Sequence, residues 1–235
     1  MKKFLSLVLA LAMAMSLVVV NTSAKEFTDD GDITYDEAVA VVSEIGIVDG
    51  YTDGSFNPQG GLTRGAAAKI ICNLILGPTT AAELHADTAP FSDVPITNEF
   101  AGYIAYCSQQ GIISGYANGT FRPAAPLTGY AFMKMLLGAL GYDQYTEGYV
   151  GDNWSIQVAK QAIGIGLNAS LEEEFNGVDY VNREEAALYT FNTLKADMVE
   201  YDTVITTTIN GQEVTIGNSQ AKAMEWLNSA TRKTN

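Results

Sequence analysis

Apolar residues recur along this chain at helical spacing, and the spacing itself recurs. Tyr35, Ala38, Val39 and Val42 fall at i, i+3, i+4 and i+7; Phe100, Tyr103, Ile104 and Cys107 do the same further on. Trp154, Val158 and Ala162 open a third run. Each pattern predicts an amphipathic helix. The first two should stop at Gly46 and Gly111, where glycine supplies a left-handed cap and the following Ile re-enters the core. A second kind of run is apolar on most sides. Ala67, Ile70, Ile71 and Leu74 repeat as Phe132, Met135, Leu136 and Ala139, and shift to Ala187, Leu188, Phe191 and Leu194. Helices of that kind belong at a centre. Thr63, Thr128 and Asn182 stand at their N-caps, and Asn182-Arg183-Glu184-Glu185 has the reciprocal capping arrangement. Gly77-Pro78 and Gly141 end the first two of these helices.

Between the two kinds of helix lie loops punctuated by glycine and closed by Phe and Pro. The first contains Asp49-Gly50 and Asp53-Gly54, the second Gly115 and Asn118-Gly119. Phe56, Phe121 and Phe175 align, as do Arg64, Gly129 and Arg183. A unit that cannot bury its apolar face alone implies an assembly of units. The pattern therefore predicts an all-α fold of three helix-loop-helix repeats. Their second helices meet in the middle of a pseudo-threefold, three-lobed bundle with grooves between the lobes. The repeats span 26–78, 90–142 and a degenerate 150–199, joined by connecting segments. The tail, 201–235, reads differently. Thr203 to Thr208 alternates, Asn210-Gly211 is a type I′ turn signal and Gln212 to Ile216 returns, which predicts a β-hairpin. Asn218 to Asn228 then reads as a short helix.

Met1 to Ala24 pairs Lys2 and Lys3 with an uncharged run from Phe4 to Val20 and ends on small residues. That is the pattern of a secretory signal peptide over 1–24, with no membrane segment expected after its removal. Removal would also take two lysines from a chain whose formal net charge is already -14. So acidic a chain disfavours nucleic acid as a partner. An anionic partner would be repelled at long range and would need local cations. Cys72 and Cys107 sit inside helical patterns without a neighbouring His, and buried free thiols are the preferred reading over a disulfide. His85 is the single histidine, Glu172-Glu173-Glu174 reads as a solvated acidic turn, and the first loop lacks the spaced carboxylates of a calcium site. No catalytic residues, metal or cofactor are expected.

Phe-Thr-Asp at 27–29, Phe-Ser-Asp-Val at 91–94, the two Gly-Tyr loops and Leu-Thr-Arg at 62–64 carry a resemblance. The chain is similar to S-layer homology domain proteins, with three tandem repeats over about 26 to 199. The resemblance implies a helical domain that holds an exported protein non-covalently to the wall or S-layer of a Gram-positive-type bacterium. It would do so by binding an anionic secondary cell-wall polysaccharide, often bearing pyruvate ketals, or another peptidoglycan-linked polymer. It also implies that an arginine of the repeat motif meets the acidic sugar in an inter-lobe groove. Arg64 and Arg183 match that position, whereas Gly129 lacks the cation and Ala66 replaces the motif's Glu. The expected polymer-binding set is Arg64, Arg183, Asp29, Asp93, Trp154, Gly54 and Ser55. An arginine in the first helical turn lies beside unpaired backbone N–H groups, and both favour an anion. On the residues alone other roles stay open: the arginines as partners of surface acids or a loop carbonyl, Trp154 as a buried anchor, Asp29 and Asp93 as capping residues. Two further functions also stay open, a self-associating component of a surface array and the anchoring fragment of a larger envelope enzyme.

Overall fold

The spacing of apolar residues is realised as helices throughout the main body. The computed structural model describes residues 26–201, 205–209, 212–216 and 220–223. The signal peptide expected over 1–24 lies outside the described residues. The first amphipathic runs form α1 (Asp36–Glu44), α4 (Ala101–Gln109) and α6 (Trp154–Gly164); the more apolar runs form α2 (Arg64–Leu76), α5 (Gly129–Ala139) and α7 (Arg183–Lys195). A short helix in the connecting segment, α3 (Pro78–Ala82), was not legible in the pattern: Gly77 ends α2 and Pro78 then starts a new turn at its N1 position. Among the described residues no helix is long and apolar enough to cross a membrane.

The caps act as their residue types predict. Thr63 and Thr128 accept from the amides of Ala66 and Ala131, and Asn182 and Glu185 form the reciprocal capping box. Gly46 and Gly111 sit at φ of 74° and 71°, the left-handed conformation that lets Ile47 and Ile112 turn inward.

Packing partners do not follow the order of the units. Each outer helix lies on the central helix of another unit or of its neighbour in sequence: α4 on α2, α6 on α5, and α1 on α7 at the far end of the chain. The central helices also touch, α2 with α5 and α5 with α7. Ile71, Phe132, Leu136 and Ala187 are fully buried within one continuous core.

Just before the central helices the chain closes a ring of main-chain hydrogen bonds. Leu62 donates to Val181, Val181 to Leu127 and Leu127 back to Leu62, at 2.9, 3.0 and 3.0 Å. Gly61–Asn182, Thr63–Pro126 and Thr128–Tyr180 form isolated β-bridges beside it.

In the tail, β2 (Ile205–Ile209) pairs antiparallel with β3 (Gln212–Ile216), the hairpin the alternation predicts; its turn residues are outside the described set. The helix expected over Asn218–Asn228 is corrected where the chain is described. Lys222–Ala223 is a strand, β4, paired with β1 (Val199–Glu200), and the remainder of that stretch is not described apart from Gln220 and Ala221. The Val199 amide bonds Leu140 at the end of α5, so β1 is docked and can offer its other edge to β4. Local helix propensity lost to a ready-made hydrogen-bonding partner.

Candidate functional site

At each central helix, the first turn is pressed against a glycine loop from a different unit. Arg64 and Gly65 donate their amides to Ala125 and Pro123, Gly129 and Tyr130 to Asp179 and Gly177, Arg183 and Glu184 to Gly60 and Pro58. One expectation is overturned by this. The backbone N–H groups beside the arginines are already paired, so they do not face an arriving anion, and recognition rests on side chains.

The Arg64 guanidinium lies across its loop. Its Nε donates to the Phe121 carbonyl at 2.8 Å and its Nη2 to that of Ser114 at 3.2 Å, with the Phe121 ring 4.3 Å from its carbon. Arg183 repeats the pose: Nε to Phe56 at 2.8 Å, Nη2 to Asp49 at 2.7 Å, and the Tyr51 ring 4.7 Å away. Burial lowers the pKa of both arginines, and neighbouring Tyr116 and Asp93, or Tyr51, Asp29 and Asp49, oppose the effect. Both side chains therefore clamp loop carbonyls, one of the roles the residues left open. Neither has a carboxylate within ion-pairing distance among the described residues.

Below Arg64 opens a cavity of about 360 Å³, whose wall includes Ser114, Lys134, Gln144, Tyr149 and Trp154. Lys134 Nζ donates to the Tyr149 carbonyl at 2.8 Å and stands 5.7 Å from the centre of the Trp154 ring. Burial lowers its pKa. The Tyr149 hydroxyl is buried without a hydrogen-bond partner among the described residues, which is costly unless something else supplies one. Cation and indole together suit a small anionic sugar better than an apolar molecule.

The other expected residues are placed differently. Asp29 accepts from the amides of Phe56 and Asn57, and Asp93 from those of Phe121 and Arg122, all at 2.7 Å. These bonds hold the Asp29 carboxyl below its usual range; at Asp93 desolvation pulls upward but the same kind of bonds prevail. Both aspartates shape the loops. Gly54 supplies a turn at φ 87° and Ser55 bonds Asp53, both at the loop of the Arg183 junction and away from the cavity wall. Trp154 is half-buried at the start of α6 with part of its ring on the cavity, so anchor and platform coincide.

The third junction departs from the others. Tyr130 packs edge-on against Phe175, at 5.8 Å between ring centres, and a side chain at Gly129 would meet Gly177 and the Phe175 ring. A cavity of about 70 Å³ there is lined by Glu173, Glu174, Asp179 and Glu185. Desolvation raises the Glu185 pKa, and the charges of Glu184, Glu173 and Asp179 add to it against the bond from Asn182.

Sequence reasoning missed Lys134, Tyr149 and the buried amides Asn73 and Asn192. Lys134 was legible as a lone cation in an apolar helix; nothing in the pattern marks Tyr149, which lies in a connecting segment. Cys72 and Cys107 are free, buried and face each other at 3.5 Å between sulfurs. The Cys72 thiol and burial push the Cys107 pKa far up, so that sulfur is not set up as a nucleophile.

The likenesses to known proteins fall on this same geometry. The S-layer homology domain profile matches residues 26–68 and 90–129, the segments that supply the Arg64 clamp and the loop it grips. The chain is 27% identical over 177 residues to a surface layer protein of Brevibacillus choshinensis, covering 74% of this chain and 16% of that one. It is 28% identical over 217 residues to a cell surface protein of Thermoanaerobacter kivui, covering 91% and 26%. With the middle cell wall protein of Brevibacillus brevis it shares 24% over 204 residues, 85% and 19%. The chain thus spans 16% to 26% of the length of these relatives. It carries S-layer homology over two segments and resembles surface-layer and cell-wall proteins over most of its length.

Proposed function

We propose that this chain is a cell-surface anchoring module that holds an exported protein to the bacterial wall by binding an anionic wall polysaccharide, without catalysis. One observation carries the reading. The Arg64 cavity brings Arg64, Lys134 and Trp154 together, with no carboxylate within ion-pairing distance of either cation among the described residues. The likeness to surface-layer proteins supports a wall polymer as the ligand of that cavity.

In this reading residues 150–199 are a third unit of the same kind, although the matched segments stop at 129. Support comes from the ring through Leu62, Leu127 and Val181 and from the matching poses of Arg64 and Arg183. Three lobes in pseudo-threefold order would place a groove at each junction. Asp29, Asp93, Gly54 and Ser55 then act by fixing loop shape, and Arg64 and Trp154 by touching the polymer.

A second reading, a self-associating component of a surface array, draws on the names of the relatives and on the cation missing at Gly129. Sedimentation separates the two. The protein from Lys25 to Asn235 should pellet with purified Gram-positive cell walls and stay in solution once acid has stripped their secondary polymer. Arg64→Ala should weaken pelleting by about 1–3 kcal/mol, the value of a charge-assisted bond. Equal pelleting with stripped walls would move the interpretation to self-association.

A further inference from the structure

The three junctions differ in charge, and the difference comes down to one register position. Lys69 and Lys134 occupy matching places on α2 and α5. Lys69 is already engaged: its Nζ lies 3.0 Å from the Asp49 carboxylate, in the same loop whose carbonyl holds Arg183. At the place matching Asp49 the second loop has Ser114, and Lys134 meets only the Tyr149 carbonyl and the Trp154 ring among the described residues. Asn57 in the first loop is likewise matched by Arg122, which stands over the Tyr116 ring at 4.4 Å beside Arg64. The Arg64 junction therefore sets Arg64, Arg122 and Lys134 against Asp93. The Arg183 junction sets Arg183 and Lys69 against Asp29 and Asp49. At the Gly129 junction the charged residues of the wall are all carboxylates.

We infer, on the basis of the anchoring function proposed above, that the Arg64 groove is the one that takes the anionic group, and that Asp49 closes the Arg183 groove by neutralising Lys69. The serine at 114 is then a specificity-determining residue through the charge it lacks. An anion entering the Arg183 junction must compete with a carboxylate already seated on the lysine, while one entering the Arg64 groove meets a half-buried ammonium with no carboxylate on it among the described residues. Charge on the ligand decides between grooves; the indole surface accepts the sugar body.

A pair of exchanged substitutions tests this. The probe is the acid-released polymer of Gram-positive cell walls, titrated calorimetrically into the full mature chain. The unaltered protein should bind one anionic group per chain. Ser114→Asp should place a carboxylate beside Lys134 and weaken binding by about tenfold or more. Ser114→Asn, which matches the aspartate in size without its charge, should weaken binding much less than Ser114→Asp does. Asp49→Ser should free Lys69 and raise the stoichiometry toward two. Positions 49 and 114 are exposed and their clamping contacts are made by backbone carbonyls, so the substitutions leave the loops anchored. Binding by the unaltered chain that ignores both charge substitutions would overturn the groove assignment and leave the anchoring reading standing. Absence of binding by every form would overturn both.

Discussion

At Asn73 a single amide holds the end of one helix to the flank of another. Its Nδ2 donates to the carbonyls of Gly46 and Ile47 at 3.3 and 3.1 Å, the groups left open where α1 stops. Asn192 does the same for Leu167 and Ala169 after α6, while the matching residue of the second unit, Gly138, packs directly on Ile112. Asn73→Ala should lower stability by about 1–3 kcal/mol because buried carbonyls lose their donor. An unchanged urea midpoint would show that water takes over. Asp29 and Asp93 give a pH dependence whose sign is set by their lowered pKa values. A carboxyl depressed in the folded state contributes stability above its unfolded value of about 3.9, and that stability is lost as pH falls through the folded value. The melting temperature of the unaltered chain should therefore drop more between pH 6 and pH 3 than that of an Asp29→Asn, Asp93→Asn double variant. Equal drops would mean that these loops do not couple to global unfolding.

Among the elements, the consequential feature is which helices share an interface. Because α1 lies on α7 and α4 on α2, cutting the first unit from the chain leaves α1 without α7, and α2 without α4 and α5. A fragment of residues 26–89 should accordingly show little helix by circular dichroism and no cooperative melt, since isolated helices of this length are marginal in water. Cooperative unfolding of that fragment would show that the contact through Asn73 suffices. The same arrangement explains why the arginines grip foreign loops. A central helix begins at the ring of Leu62, Leu127 and Val181, and its first turn can only reach the loop next around.

For the whole molecule, a net charge of -14 opposes the approach of any anionic polymer even when the groove itself is cationic. Screening shortens the reach of that repulsion to about 10 Å at 0.1 M salt, while contacts inside the half-buried groove are screened less. The association rate with released wall polymer should thus rise as salt is raised from about 10 to about 100 mM. A falling rate, measured by stopped flow, would indicate attraction by some larger basic surface instead. The closed ring and the α1–α7 contact tie the start of the main body to its end, so unfolding should be a single transition through the helices.

Spacing and caps were enough to locate the six longer helices, though not α3, since a helix is decided by neighbours within a turn or two: Thr63, Thr128 and Asn182 start α2, α5 and α7, and Gly46 and Gly111 stop α1 and α4. The repeat register also marked Arg64 and Arg183 as matching positions, and placed a Phe-Pro loop after each of the first two outer helices. Tertiary structure decided the rest, because it brings together residues that no local pattern links. Only the fold shows that the N-terminal amides of the central helices are already paired, that Lys69 is neutralised by Asp49 whereas Lys134 is not, and that a tyrosine in a connecting segment supplies the wall of the cavity. It also turned the expected final helix into a strand at Lys222–Ala223, since a docked edge at Val199–Glu200 offered hydrogen bonds that local propensity could not foresee.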